Sequence, residues 1–270
     1  MLPKLSVGFR ALFRREVLRF VRRPKNTFMP PAITNVLYFA VFGLILGGRI
    51  DQIAGFDYIL FIVPGLVVLG AISNAFENAS FSIFHGRWNE YIHETLTSPL
   101  SYAEMVVAYV AASAVRGLIV GVIIAAVGRL FVPISIEHGL FLVATMVVIT
   151  ALFAGCGIIG GLVARDFDDL TVMNQFILRP LVFFGAVFYS LETFEQAWQV
   201  QLSLVNPMVY MVDSVRYGLL GHSDLIGVGI LPAPYTEFAP LFALGVLTAA
   251  TVLVLAIDVY LFKIGYGLTD

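Results

Sequence analysis

The chain has 270 residues, 59% of them hydrophobic and only 13% charged, with a mean hydropathy of +0.91 and a formal net charge of −2. That charged share is about half of what soluble domains carry, so the composition excludes a soluble protein and indicates a polytopic integral membrane protein of all-α class. The single cysteine, Cys156, lies in an apolar segment, which leaves no intramolecular disulfide and no cysteine metal cluster.

The N-terminal stretch is polar and basic and lacks a short apolar core followed by a small-residue cleavage site. No signal peptide is expected, and the first span directs insertion. Over residues 5–23, Leu5, Phe9, Leu12, Phe13, Val17 and Phe20 alternate with Arg10, Arg14, Arg15, Arg19, Arg22 and Arg23. This pattern predicts a basic amphipathic helix lying on an anionic membrane face. Glu16 falls on its apolar side and is expected to pair with Arg19 or Arg23. Pro24, Pro30 and Pro31 then turn the chain into the bilayer.

Apolar segments of about 20 residues or more, the length that crosses a bilayer, follow at Phe28–Gly48, Tyr58–Phe84, Tyr102–Leu130, Gly139–Val163, Leu170–Tyr189 and Phe238–Phe262. They predict six transmembrane helices. Lys4, Arg10, Arg14, Arg15, Arg19, Arg22, Arg23 and Lys25 all precede the first span, and the positive-inside rule keeps them cytoplasmic. Six spans return the C-terminus to the same side. Arg87, Arg165 and Lys263 also fall inside, Arg49, Arg129 and Arg216 outside, and Arg116 and Arg179 within spans.

Between the second and third spans, Arg87–Leu100 is a polar island with its own order. Trp88, Tyr91, Ile92, Thr95 and Leu96 share one helical face, and Arg87, Asn89, Glu90, His93, Glu94 and Thr97 the other. Pro99 stops the helix, and Ser101 with Glu104 forms a capping box for the next. Two readings fit: an interfacial helix in the headgroups, or a docking surface for a soluble partner. In the fourth span, Ala151, Gly155, Cys156, Gly157, Gly160 and Gly161 place small residues four apart, a surface for close helix packing. The loop that follows, ARDFDDL, is a short cytoplasmic turn. From Leu191 to Glu237 the chain is outside: Phe194, Trp198, Leu202 and Val205 make an apolar stripe, Asn206 and Pro207 break it, and Tyr210, Asp213 and Arg216 recur three apart. Two short helices re-entering the outer leaflet fit this pattern, because backbone at membrane depth must satisfy its own hydrogen bonds. Gly221–Pro234 is read as loop.

Three stretches resemble the permease subunits of type 2 ABC exporters, the group serving drug, polysaccharide and nodulation-factor export. They are VPGL at Val63–Leu66 continuing through NAFENASFSIF to Phe84, TSPLSYAE at Thr97–Glu104, and FFGAVFYSLETFEQAW with LVNPMVYMVDSVRYGLLG across Phe183–Gly221. The resemblance covers nearly the whole chain and is specific to the family, not to a substrate. It implies one transmembrane domain over residues 1–270: an interface helix at 1–25, two spans at 28–84, a coupling helix at 87–98 seated on an ATPase subunit, three spans at 102–189, a re-entrant region at 191–236 and a last span at 238–264. Arg87, Trp88, Glu90, Tyr91, Glu94 and Leu96 are then the ATPase-coupling residues, and Trp198, Asn206, Pro207, Tyr210, Asp213 and Arg216 belong to the external hairpin. Trp88-Asn89-Glu90 stands where a Glu-Gly pair often opens the coupling region, so the docking face is individual to this chain. The implied partners are two copies of an ATPase that carries ATP and Mg²⁺, a second permease chain completing a homodimer, and membrane lipid. No nucleic acid is expected.

A phosphate-binding loop needs Gly-x-x-x-x-Gly-Lys-Ser/Thr, and none of Lys4, Lys25 and Lys263 follows a glycine or precedes Ser or Thr. The chain has no ATPase motif of its own, no cofactor and no catalytic or metal residues are expected, and energy comes from another chain or from a gradient. The alternative is therefore a gradient-driven secondary transporter or channel using the intramembrane charges Glu77, Arg116 and Arg179. Against it, Glu77 is expected to pair structurally with Arg179, which matches it in depth, or failing that with Arg116. Asp258, near a membrane end, is expected to face water. A membrane hydrolase would want a Ser/His or HExxH constellation, and His85, His93, His138 and His222 form none. An amphipathic drug, a glycan and a lipid all remain open as substrate.

Overall fold

The computed structural model describes residues 6–46, 52–178, 180–181 and 184–268. Ser6 caps the first helix, α1 (Val7–Val21), by accepting the Phe9 amide at 3.1 Å, and Pro24 at the first helical position opens α2 (Pro24–Tyr38), which runs on as a π-helix over Phe39–Leu46. A two-stranded hairpin that the sequence reading did not expect follows, β1 (Gln52–Ile53) with β2 (Phe56–Asp57), turning on Ala54 and Gly55, both at positive φ. Then come α3 (Tyr58–Trp88), α4 (Ile92–Leu96), α5 (Tyr102–Arg129), α6 (Gly139–Val163) and α7 (Phe167–Val172), the last continuing as a π-helix over Met173–Leu178. The remainder is α8 (Ala197–Leu204), α9 (Pro207–Leu220), the short α10 (Asp224–Gly227) and α11 (Ala239–Ile264). The capping box predicted at Ser101 and Glu104 is formed in both directions.

Among the described residues, four helices are long and apolar enough to cross a membrane: Tyr58–Trp88, Tyr102–Arg129, Gly139–Val163 and Thr236–Ile264. The fold is that of an all-α integral membrane protein. The first predicted span corresponds to the continuous helical stretch from α2 into its π-helix, and its last residues, 47 and 48, lie outside the described set. The fifth predicted span is helical only in part. Pro180 removes a helical donor, Ala186 takes a φ of 57°, and the chain from Phe184 to Tyr189 is turned, closed by Tyr189 Oη donating to the Phe184 carbonyl at 2.9 Å.

Helix α3 is the axis of the bundle and packs chiefly against α6 and α5. Glycines let it do so. A Cβ at Gly157 would sit 2.5 Å from the Phe76 carbonyl oxygen, one at Gly161 2.6 Å from that of Ser80, and one at Gly117 2.6 Å from that of Ala71. The small-residue face predicted on α6 is thus its seam with α3, where backbones approach because lipid supplies no hydrophobic drive. Its Gly155 turns the other way, toward α11, where an added Cβ would meet Asp258 Oδ2 at 3.0 Å. Asp258 is fully buried, and both carboxylate oxygens lack a partner among the described residues. This corrects the expectation that it faces water: α11 runs on to Ile264, about 9 Å further along the axis.

Candidate functional site

The end of the bundle that carries α1 and α4 is built by α3 outlasting the bilayer. Its 31 residues span about 46 Å against a hydrocarbon core of about 30 Å. At that end the helix predicted over Arg87–Ser98 is two pieces. Arg87 and Trp88 are the last turn of α3, Asn89 closes it, Glu90 takes a φ of 62°, and α4 starts only at Ile92. The break changes which side chains anchor. Ile92 and Thr95 are the buried ones, Tyr91 and Leu96 are half-buried, and Trp88 is 59% exposed, stacked on Phe84 and edge-on to Phe167. Arg87 turns inward: its Nη1 donates to the carbonyls of Gly161, Leu162 and Ala164 at 2.8, 2.8 and 3.0 Å. It therefore satisfies the orphan carbonyls at the C-terminus of α6 and complements that helix's dipole. Glu90, His93, Glu94 and Thr97 are exposed.

Helix α1 lies beside this unit and is fixed by polar ties. Glu16, buried on the apolar face with Phe9, Leu12 and Phe20, accepts from Ser82 Oγ of α3 at 2.5 Å and from Arg15 Nε at 3.1 Å, with Arg19 Nε at 3.4 Å. The expected Arg19 pairing forms, and the partner added to it is Arg15 instead of Arg23. Arg19 reaches on to Asn78, donating to its carbonyl at 2.7 Å and its Oδ1 at 3.0 Å, and Arg15 donates to Tyr109 Oη of α5 at 3.0 Å while covering the Tyr91 ring. Arg15, Arg19, Arg22, Tyr91 and Glu94 border an open cleft of about 540 Å³ between α1 and α4.

Within the bundle, Glu77 pairs with Arg116, at 3.4 Å, and accepts from Asn174 Nδ2 at 3.0 Å. Arg116 also donates to Asn74 Oδ1 at 3.0 Å. Arg179, the partner that depth favoured, lies outside the described residues. Asn74 and Asn174 carried no sequence signal beyond being polar residues in apolar runs.

At the opposite end, the hairpin residues close a second polar cluster. Asn206 caps α9, accepting from the Met208 amide at 3.0 Å and donating to the Leu181 carbonyl at 2.8 Å, with Pro207 at the first helical position. Trp198 on α8 is exposed and Tyr210 half-buried. Arg216 and Asp224 form an ion pair of 3.1 Å whose side chains are 0% and 1% exposed. Arg216 also donates to the Ala186 carbonyl at 2.7 Å, and its guanidinium sits 3.9 Å from the Phe61 ring centroid. Asp213 accepts from Ser223 Oγ and the Asp224 amide, both at 2.6 Å. Asp224 further accepts from Ser190 Oγ at 2.9 Å and the Leu191 amide at 3.0 Å, with His222 Nε2 at 3.0 Å. Burial works to raise the Asp224 carboxyl, but the His222 contact, Arg216 and these donors hold it below the usual range; the hydrogen bond to Asp224 in turn raises His222 above its ordinary value. Glu192, His222 and Asp224 lie close enough to suggest a cation site, but both Asp224 oxygens are taken by donors and Arg216. The segment read as loop from Gly221 thus holds the short α10, and Asp224 was missed; the Ser-Asp pair after a helix-ending glycine was its only signal.

A bundle of apolar helices with glycine seams and an amphipathic helix tied to one end is the architecture of an integral membrane protein. Residues 7–220 match the profile of the ABC-2 type transporter family, and the chain belongs to that family. It is 38% identical over 219 residues to the inner membrane transport permease YadH of Escherichia coli (strain K12), covering 81% of this chain and 85% of that one. It is 23% identical over 236 residues to Nodulation protein J of Rhizobium meliloti (strain 1021), covering 85% of this chain and 87% of that one.

Proposed function

We propose that this chain is the membrane-spanning permease of an ATP-driven exporter, with six spans, both termini cytoplasmic and location in the cell or inner membrane. It works as a homodimer with two copies of a separate ATPase that binds ATP and Mg²⁺, and it moves an amphipathic or lipid-linked molecule outward. The observation that carries this reading is the α1–α4 unit. Glu90, His93 and Glu94 are presented at the tip of α3 while Ile92 and Thr95 anchor below, and α1 is bolted to α3 through Glu16 and Arg19. A push on α4 is delivered directly to the axial helix, which is what coupling to a soluble motor requires. The relative named as an inner membrane transport permease supports a transport role. The gradient-driven alternative draws less support, because the Glu77 carboxylate is engaged by Arg116 and Asn174.

The test is charge reversal at the exposed carboxylates. Glu90→Lys with Glu94→Lys leaves the permease inserted but weakens its co-purification with an ATPase or uncouples hydrolysis from export. Unchanged assembly and transport would reduce α4 to an interfacial helix. Orientation is read with an impermeant thiol reagent: Ala233→Cys, at an exposed position, labels in intact cells, and Thr97→Cys labels only after lysis. The opposite pattern overturns the topology.

A further inference from the structure

Between α2, α3, α5 and the π-helix after α7 lies a cavity of about 300 Å³, the lower end of the size range of small-molecule sites. Its lining mixes polar and apolar side chains. One wall carries Asn74 and Glu77 of α3 with Arg116 of α5, Asn174 faces them, and Asn35 of α2 lines the other side; Tyr38, Leu69 and Phe188 add apolar surface. The only charges among the described lining residues are Glu77 and Arg116, one of each sign, and they pair with each other.

The backbone adds acceptors. An α-helix bonds each amide to the carbonyl four residues back, and Pro30 and Pro31 have no amide hydrogen, so the carbonyls of Asn26 and Thr27 lack their helical donor. Both residues line the same cavity. Thr27 spends its own hydroxyl on the carbonyls of Phe20 and Arg23, and Asn35 spends its amide on the Pro31 carbonyl at 2.8 Å, so neither serves those acceptors. Asn35 Oδ1 and Arg116 Nε are buried without a partner among the described residues.

We propose that this cavity is a binding site for the head group of the transported molecule, and that the head group is neutral and rich in hydroxyl or amide hydrogen-bonding groups. The proposal rests on the exporter reading above and narrows its substrate class. A net cation or anion would enter a site whose two charges already cancel, and would give up water with no free counter-charge to replace it. A polyhydroxyl or amide group instead supplies donors to the freed carbonyls and acceptors and donors to the asparagines, while an attached chain lies along Tyr38, Leu69 and Phe188. The glycan class is favoured over cationic drugs and over phosphate-headed lipids.

The experiment uses the full chain in phosphatidylcholine nanodiscs with three probes of equal tail, decyl maltoside, decyltrimethylammonium and decyl phosphate, read as saturable shifts in thermal unfolding. The expected result is binding of the maltoside at concentrations where neither charged probe acts. Thr34→Leu, at an exposed lining position, and Asn174→Leu each weaken the maltoside about fivefold, the effect of one neutral hydrogen bond or its equivalent in lost space. Glu77→Gln leaves Arg116 unpaired and moves the preference toward decyl phosphate. Equal or tighter binding of a charged probe to the unaltered chain overturns the proposal, as does maltoside binding that both leucine variants leave unchanged. Maltoside binding through these residues in a chain that assembles with no ATPase keeps the cavity and sinks the exporter reading; coupling to an ATPase with no such binding sinks the cavity alone.

Discussion

Arg216→Met is the sharpest test of how the hairpin end is held. Arg216 is fully buried and its partner Asp224 is 1% exposed, so removing the guanidinium leaves that carboxylate with His222 as its one remaining cationic neighbour among the described residues and the Ala186 carbonyl without this donor. Breaking a sealed pair from one side costs about 3–5 kcal/mol. At about 2–4 °C per kcal/mol, the conversion for chains of somewhat smaller size, that is a fall of about 6–20 °C in the thermal midpoint. Asp224 retains Ser190 Oγ, the Leu191 amide and His222, which places the loss toward the lower end. The double variant Arg216→Met with Asp224→Asn removes both charges together and regains a substantial part, because much of the single-variant cost belongs to the orphaned charge. The assay is thermal unfolding of the purified protein in detergent and again in nanodiscs, with the Asp224→Asn single variant completing the cycle. Additive effects, or a loss under about 1 kcal/mol for Arg216→Met, would refute the claim that this pair ties α9 to α10.

His222 adds a pH dependence. Its hydrogen bond to Asp224 raises its folded-state pKa above the ordinary value of about 6.5. The stabilisation is fully present below that value and is lost as pH rises through the raised one, whereas Asp224's own contribution is lost only as pH falls through its depressed value. A midpoint that declines through that window in the parent and not in His222→Gln is the expected record. Arg87→Leu strips three carbonyls at the end of α6 of a charged donor and lowers stability by about 1.5–3 kcal/mol, with Arg87→Lys intermediate because one ammonium cannot span all three as well; equal stability of Arg87→Leu and the parent would contradict the cap. Glu77→Gln costs about 1–2 kcal/mol, less than a sealed pair because 38% of the Glu77 side chain is exposed, and the swap Glu77→Arg with Arg116→Glu recovers part of it. If Glu77→Gln abolishes transport at full stability, the residue serves a proton or substrate path.

What the sequence alone determined is whatever a one-dimensional pattern encodes directly. Long apolar runs set α3, α5, α6 and α11; Ser101 and Glu104 set a helix start; glycines four apart in the fourth span set a packing seam. Alternating apolar and basic residues set α1. Each of these follows from local geometry or from the bilayer acting as solvent, which needs no knowledge of neighbours. The Arg87–Leu100 stretch was legible as a polar island with a buried face, but not as a helix broken at Glu90, because periodicity continues across a residue that the chain places in the left-handed region.

The tertiary structure decided where the charges go. Arg87 caps α6, a role no local pattern announces, since the carbonyls it serves lie more than seventy positions away. Asp258 looked solvent-facing and is sealed against Gly155, since a helix's depth depends on what packs beside it. Asp224, unremarkable in its loop, receives Arg216, and Glu77 meets Arg116 across two helices. A charge in low dielectric is placed by its partners, and partners brought together by helix packing leave no periodic trace in the chain.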